Sequence, residues 1–279
     1  IVGSKAMATI KQELPNGPLS VVLFQMQYAP ILEIDKYIPA IQDYCRKVGF
    51  PQITKMRGDM LKIGQNGEVE KTIVVQWVFA SADYQRTLFI DTEKLTFQVF
   101  DLADYSFEDL LATFMQLMNK IDELVDFSLI NRLGLRFINT IEEKPELTWQ
   151  AAIKPEFQGC PFPDDVHWAD DGLLTWALQR MVRLPEVKMT SNLLVRIYQN
   201  AAGRKYPEDI IRNPRGVIDY VSSGPLVTYA DLDHFIVFQN GAKDAIVPKS
   251  KEVFIALHTV IENVFFTSLI TEEAKQLWS

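Results

Sequence analysis

The chain is poor in cysteine and histidine. Its 279 residues include two cysteines, Cys45 and Cys160, and three histidines. Two cysteines cannot build a disulfide framework, and they do not form a C-x-x-C pattern, so a redox or zinc motif of that kind is excluded. Isolated, reduced thiols are typical of a cytoplasmic protein. Three histidines give little support to a histidine-rich metal centre, and we expect neither a metal nor a cofactor.

Proline, glycine, positive charge and long apolar runs are also scarce. The 14 prolines and 13 glycines make up about a tenth of the chain, which excludes collagen-like and low-complexity proteins. With 28 basic against 36 acidic residues the net charge is −8. General nucleic-acid binding is therefore disfavoured, since proteins that bind the phosphate backbone normally carry a basic surface. Because no eighteen consecutive residues are apolar, we expect no transmembrane helix.

Motifs of the common enzyme classes are absent too. The sequence contains no G-x-G-x-x-G, G-x-x-x-x-G-K-[ST], H-E-x-x-H or G-x-S-x-G pattern, which are the usual signatures of nucleotide-dependent and hydrolytic enzymes. Whether the chain is an enzyme stays open at this point, and a non-enzymatic role is favoured. Residues 1–6 precede Met7 without a signal-peptide pattern, and we expect them to be a cloning remnant.

Strands and amphipathic helices alternate along the chain in a pattern that predicts an α+β fold. In the first half, a strand and a helix precede two hairpins, a long helix and another strand. These elements are predicted over Leu19–Tyr28, Ile34–Val48, 53–80, 86–100, Ser106–Val125 and Ile130–Ile141. The second half is predicted to contain strands Leu173–Leu184, Asn192–Asn200, Gly216–Ser222 and Phe235–Gln239, followed by helices over 249–269 and 271–278. Hairpin-length links favour antiparallel sheets, each packed by long amphipathic helices, in two topologically similar halves, 14–141 and 142–279.

The predicted strand Ile130–Ile141 carries the main candidate site. Since side chains alternate along a strand, Arg132 and Arg136 share one face with Gly134 between them, and mainly apolar residues occupy the other. The apolar face should lie against the helices. Two guanidinium groups, roughly 13 Å apart, are then left on the opposite face. A glycine inside a strand often marks a close approach by another group.

Two further arginines, Arg183 and Arg196, belong to predicted strands of the second half. If these strands are neighbours, Arg132, Arg136, Arg183 and Arg196 line a groove. Guanidinium groups bind carboxylates and phosphates in a bidentate manner, so such a groove would suit an anionic small molecule, a nucleotide or an acidic peptide. The alternative is structural, with the arginines paired to the abundant Asp and Glu residues of the chain itself.

Two acidic segments resemble metal sites in composition. The segment 164–171 holds four aspartates and His167, and Asp231-Leu232-Asp233-His234 is similar. The spacing of the first matches no calcium loop, and aspartate is common in ordinary turns. We therefore expect a solvated loop in the first case and a turn before a strand in the second, with no metal in either.

Three segments of the sequence together resemble a known family. They are Tyr28–Glu33, the central Arg132–Asn139 with the pattern R-x-G-L-R-[FY]-I-N, and Phe266–Glu273, which contains S-x-I-T-E-E. In this combination the chain resembles a sporadically distributed family of bacterial and archaeal proteins of similar length. The resemblance implies a cytoplasmic prokaryotic protein and supplies no catalytic residues to carry over. Sporadic distribution is typical of horizontally transferred systems such as defence or toxin–antitoxin modules.

Two functions of different classes fit these observations. The first is a binding protein that acts on a protein partner or as a homo-oligomer, which the acidic composition and the missing enzyme motifs favour. The second is a binding protein or enzyme for an anionic small molecule or nucleotide, held in the groove around Arg132 and Arg136. A substitution at Arg136 separates them, because it removes ligand binding only in the second case.

Overall fold

The computed structural model describes residues 14–63, 69–100, 102, 106–159, 173–214, 216, 218–221, 224 and 226–279, with residues 59–63 and 69–74 as backbone. Three subjects of the sequence predictions lie outside the described residues. They are the terminal residues 1–6, Cys160 and the acidic segment 164–171.

Among the described residues, nine strands form a single antiparallel sheet, which confirms the α+β class. The strands are β1 (Leu19–Tyr28), β2 (Gln52–Ile63), β3 (Val69–Ala80), β4 (Arg86–Ile90), β5 (Lys94–Val99), β6 (Ile130–Glu142), β7 (Thr175–Leu184), β8 (Met189–Asn200) and β9 (Val227–Val237). Their order across the sheet is β2-β3-β4-β5-β1-β6-β9-β8-β7. The edges of the sheet are therefore β2 and β7, and β1, the fifth strand of the nine, lies at its centre beside β6.

Helices cover one face of this sheet. They are α1 (Ile38–Lys47), α2 (Phe107–Val125), α3 (Trp149–Ala152), α4 (Lys243–Ile246), α5 (Ser250–Asn263) and α6 (Glu272–Trp278). The spacing of Ser106 and Asp109 predicts the start of α2, and the Ser106 side chain accepts a hydrogen bond from the Asp109 backbone N–H. Thr271 caps α6 in the same way, through Ala274 N–H.

The core lies between the helices and the sheet and is rich in aromatic rings. Phe24 of β1 stands at its centre, with ring centroids 5.3 Å from Phe114 of α2 and 5.6 Å from Phe254 of α5. Cys45 of α1 is buried in the same core, where desolvation raises the pKa of its thiol to about 12. The thiol therefore stays protonated and packs as a small apolar side chain.

The helical stretch Lys243–Leu269 is long and apolar enough, by length and composition alone, to cross a membrane. Half of its apolar 18-residue window is buried inside the protein, however, and Phe254, Leu257 and Ile261 are fully covered by the sheet and the neighbouring helices. Its apolar character is thus accounted for by packing in the core.

Three predictions about the sheet are wrong. A separate sheet for each half was expected, but β6 of the first half pairs with β9 of the second, from Arg132↔Val237 to Glu142↔Val227, and this pairing joins the strands into one sheet. No strand covers Gly216–Ser222, whose described residues form only an isolated bridge between Tyr220 and Arg204. The strand expected at Phe235–Gln239 begins at Val227, because Asp231 and Asp233 are paired by neighbouring strands instead of forming a turn.

No helix of the described residues lies on the second face of the sheet, which is partly covered by the described part of the connection between β8 and β9, residues 201–226. Within this β8–β9 connection, Tyr206 and Ile210 pack against Leu23, Phe100 and Ile138 of the sheet. The hydroxyl of Tyr229 donates to the Arg204 carbonyl at 2.5 Å and ties the connection to β9. We call this surface the open face; it bears the predicted arginines of β6.

Candidate functional site: an arginine–aspartate network

Side-chain alternation in β6 places the arginines as predicted. Leu133, Leu135 and Phe137 are fully buried against the helices. Arg132 and Arg136 consequently lie on the open face, where each side chain is only 15% exposed. The sequence pattern thus gives the correct face.

The neighbouring strand β9 supplies carboxylates to both arginines. Arg132 Nη2 donates to both carboxylate oxygens of Asp233, each at 3.0 Å. Arg136 binds Asp231 in a fork, with Nε and Nη2 each 2.8 Å from a different carboxylate oxygen. Bidentate pairs of this kind fix orientation as well as charge.

Asp231 is shared with a third arginine. Arg196 of β8 lies directly opposite Asp231 in the sheet, and its Nη2 donates to Oδ2 at 2.5 Å. The Asp231 carboxylate is fully buried between these two guanidinium groups. Asp209, from the β8–β9 connection, binds Arg136 from the solvent side and is 58% exposed. Three arginines and three aspartates therefore form a charge-balanced network.

Gly134 allows Arg132 to lie flat across β6. A Cβ atom at position 134 would come within 2.5 Å of Arg132 Nη1 and 2.8 Å of Cζ. The guanidinium group also lies over the ring of Phe235, 4.3 Å from its centroid, and donates to Gln25 Oε1 on β1. The predicted close approach at this glycine is therefore made by an arginine of the same strand.

Burial and pairing shift the ionisation of these groups in opposite directions. Burial lowers the pKa of Arg132, and the Asp233 carboxylate opposes that shift. Burial also acts to lower the pKa of Arg136, but hydrogen bonds and charge from Asp231 and Asp209 outweigh it and raise the pKa. Desolvation raises the pKa of Asp233, against the influence of Arg132. A small anion would have to displace fixed carboxylates to reach these guanidinium groups, so the geometry favours the structural alternative.

Arg183 lies apart from the other three arginines. In β7 it is opposite Thr190, whereas the position opposite Arg196 is Ala177, six residues along the strand. At the rise of an extended strand this separates Arg183 from the network by about 20 Å. The structure thus brings together Arg132, Arg136 and Arg196, and it places Arg183 on an edge of the sheet.

The carboxylates of the network were not recognised from the sequence as partners of the arginines. Asp231 and Asp233 alternate with Leu232 and His234 in β9, which is the spacing of a strand with one polar face. Arg136 reaches Asp231 two residues from its direct partner Asp233, whereas Arg132 reaches Asp233 four residues from its own direct partner. Asp209 carries no comparable signal, because it lies in an irregular connection and meets Arg136 only through tertiary structure.

The fully buried His234 is part of the core and not of the network. Its Nδ1 is 3.0 Å from the Leu257 carbonyl and therefore carries the proton, so the Ser191 hydroxyl donates to Nε2 at 2.7 Å. Burial lowers the pKa of His234 to about 4. The Ser191–His234 pair has no exposed surface, and its role is to join β8 and β9 to α5.

Among the described residues, no group of three or more His, Cys, Asp or Glu side chains is placed to hold a metal ion. Within the described part of the chain, the arginine–aspartate network is the largest cluster of linked, largely buried ion pairs. No family model matches the chain, and no curated protein matches it in sequence.

Proposed function

We propose that this chain is a protein-binding module that holds an extended, acidic segment of a partner along the outer edge of β7. The proposal rests on one observation, which is that the outer edge of β7 has no paired strand among the described residues. β7 pairs with β8 over all ten of its residues, and no described residue pairs with its other side. A free strand edge presents unpaired backbone N–H and C=O groups, which an added strand can satisfy.

The side chains of β7 indicate the chemistry of the partner. The strand contains two arginines and no acidic residue, in a chain of net charge −8. Arg180 and Arg183 are exposed, and neither has a carboxylate within ion-pair distance in the described part of the chain. Met181 between them is 76% exposed. Since side chains alternate along a strand, Arg183 shares a face with Met181 and Arg180 lies on the other face. An added strand that alternates acidic and apolar residues would thus place its acidic face beside one of the two arginines.

A second copy of the chain is a less favourable occupant of the same edge. Antiparallel pairing of β7 with itself would bring arginines of both copies to one short interface, and like charges on paired strands are destabilising. Basic residues on an edge strand are also a common means of preventing self-association. Charge complementarity therefore supports a different, acidic partner.

The experiment uses a short peptide of alternating Glu and Val, labelled for fluorescence anisotropy, with a Lys–Val peptide as its charge-reversed counterpart. We expect the acidic peptide alone to bind, and the double variant Arg180→Glu/Arg183→Glu to abolish that binding. The matched control is Lys249→Glu/Lys251→Glu, which makes the same charge change at exposed positions near the start of α5. It should bind as the unmodified protein does.

Main-chain pairing is tested separately from charge attraction. N-methylation of alternate residues of the Glu–Val peptide removes the N–H groups of one edge and should eliminate binding, although the charge is unchanged. Equal binding of the methylated peptide, or of a single-stranded DNA of the same charge, would overturn the assignment. Dimerisation that the Arg180/Arg183 variant alters would instead identify a second copy as the occupant.

We further propose that the protein is cytoplasmic and belongs to a horizontally transferred system of the defence or toxin–antitoxin kind. The two cysteines, which form no motif, support the cytoplasmic location. The family resemblance of Arg132–Asn139 and Phe266–Glu273 supports the transferred system. Co-purification from the native host, followed by identification of genes next to its own, tests this proposal. Partners encoded at unrelated loci in every host would contradict it.

We also propose that the two halves of the chain share one topology. In support, the last strand of each half returns to pair with the first, β5 with β1 and β9 with β6. A long helix follows in each case, α2 and α5. The order of strands and helices agrees better between the halves when the boundary between them lies before β6 than when it lies after β6, at 141/142. Superposition of an experimental structure on itself about an axis between β1 and β6 tests this.

A further inference from the structure

A cavity of about 420 Å³ lies at the end of the sheet where β1 begins and β6 ends. Phe100, which follows β5, and Tyr206, of the β8–β9 connection, form an aromatic wall, with their ring centroids 4.9 Å apart. Pro18 and Thr140 also line the cavity. This volume lies within the range of small-molecule sites, which are commonly lined by aromatic side chains and a few polar groups.

Two smaller cavities continue this space in both directions. One of about 220 Å³ shares Tyr206 and Arg212 with it, and one of about 160 Å³ shares Pro18 and Thr140. The two smaller cavities have no lining residue in common, so the first cavity is the middle one of the three. The middle part is the largest, and it is the one between the aromatic wall and the strand ends.

The charged residues of the middle cavity are Lys205, Arg212 and Glu142, two cations and one acid. Arg212 is partly neutralised, since its Nη1 is 2.9 Å from Asp219 Oδ1. The ammonium group of Lys205 has no such partner among the described carboxylates, and it lies 5.8 Å from the centroid of Tyr206. Lys205 is half-buried, so an anion beside it would be screened less by solvent than at an exposed lysine.

We propose that the middle cavity binds a small organic anion. Its carboxylate or phosphate group lies at Lys205, with Arg212 as the second cation, and its apolar part lies against Phe100 and Tyr206. This site is distinct from the groove expected around Arg132 and Arg136, whose guanidinium groups are already held by Asp231 and Asp233. The difference is that no carboxylate of the described residues lies within ion-pair distance of the Lys205 ammonium group.

The experiment measures binding of four probes to the whole protein by heteronuclear NMR titration. They are phenyl phosphate, benzoate, inorganic phosphate and the neutral analogue benzyl alcohol. We expect phenyl phosphate or benzoate to bind more tightly than the two probes that lack either the ring or the charge. The stronger of the two identifies the anionic group that the site prefers.

Variants locate the site. Lys205→Gln should weaken binding about tenfold or more, which is the scale of a lost charge-assisted hydrogen bond, and Lys205→Arg should largely restore it. Lys144→Gln, in the adjoining smaller cavity, makes the same charge change and should leave binding unaltered. Unchanged binding in a folded Lys205→Gln variant, equal loss in Lys144→Gln, or no response to either organic anion would each overturn the proposal.

Discussion

Because Gly134 and Arg132 are in contact, we expect the effect of Gly134→Ala on the free energy of unfolding to change sign when Arg132 is replaced. In the native chain, Gly134→Ala places a Cβ 2.5 Å from Arg132 Nη1. This is closer than van der Waals contact, so one of the two atoms must move. The backbone there is paired to both β1 and β9, so the guanidinium group is the part that must move. Movement separates it from Asp233, Gln25 and the Phe235 ring.

The cost follows from the contacts that are lost. A hydrogen-bonded charge pair contributes about 1.5–3 kcal/mol, and the Arg132 and Asp233 side chains are 15% and 20% exposed, so solvent screens them little. The cation–π contact adds about 0.5–1 kcal/mol. Alanine itself is favoured over glycine in a strand by about 0.5–1 kcal/mol. Gly134→Ala should therefore destabilise the native chain by about 1–3.5 kcal/mol.

In an Arg132→Ala background the obstacle is absent and only the intrinsic preference of the strand remains. Adding Gly134→Ala to that variant should stabilise it by about 0.5–1 kcal/mol. Urea unfolding of the four proteins of this double-mutant cycle measures both values. Gly58→Ala in β2 is the control, because a Cβ there meets nothing within 4 Å. A cost at Gly134 that is the same in both backgrounds would refute the role assigned to this glycine.

Three further predictions concern stability. Acidification from pH 7 to 5 should reduce the free energy of unfolding by about 2 kcal/mol through His234, because the unfolded chain takes up a proton near pH 6.5 and the folded chain only near 4. This loss begins below pH 6.5 and ends near pH 4, and urea titrations of His234→Gln at several pH values should lack it. Asp231→Asn should cost about 3–5 kcal/mol in the same assay, since two guanidinium groups lose a buried counter-charge, whereas Asp209→Asn at the exposed rim should cost less than about 1 kcal/mol. Ser106→Ala should cost about 1 kcal/mol by removing the cap of α2, and an unchanged melting temperature would contradict that role.

Elements with strong local patterns were predictable. β1 coincides with the predicted strand, and α2 begins one residue after its predicted cap, because apolar periodicity and capping are encoded within a few neighbouring residues. β9 was misplaced for the converse reason. Asp231 and Asp233 have a low strand propensity, and only the guanidinium groups of β6 and β8 make them stable there.

The sequence predicts which face of the sheet bears the candidate site, but it does not predict which arginines belong to that site. Alternation in β6 places Arg132 and Arg136 together, whereas the grouping with Arg183 depends on strand order and register across three strands. No local signal specifies either quantity. The pairing of β1 with β6 is a similar case, since the Ser20–Thr140 contact between these strands spans 120 residues of sequence.

Because β1 pairs with β5 on one edge and β6 on the other, its two edges gain their partners at different times during synthesis. β1 can pair with β5 once Val99 has been made, but its other edge has no partner until β6 is complete at Glu142. At ordinary ribosomal speeds that interval lasts on the order of several seconds. A nascent chain would thus expose an apolar strand edge next to an otherwise formed half, which is a substrate for chaperones and a point at which premature association begins.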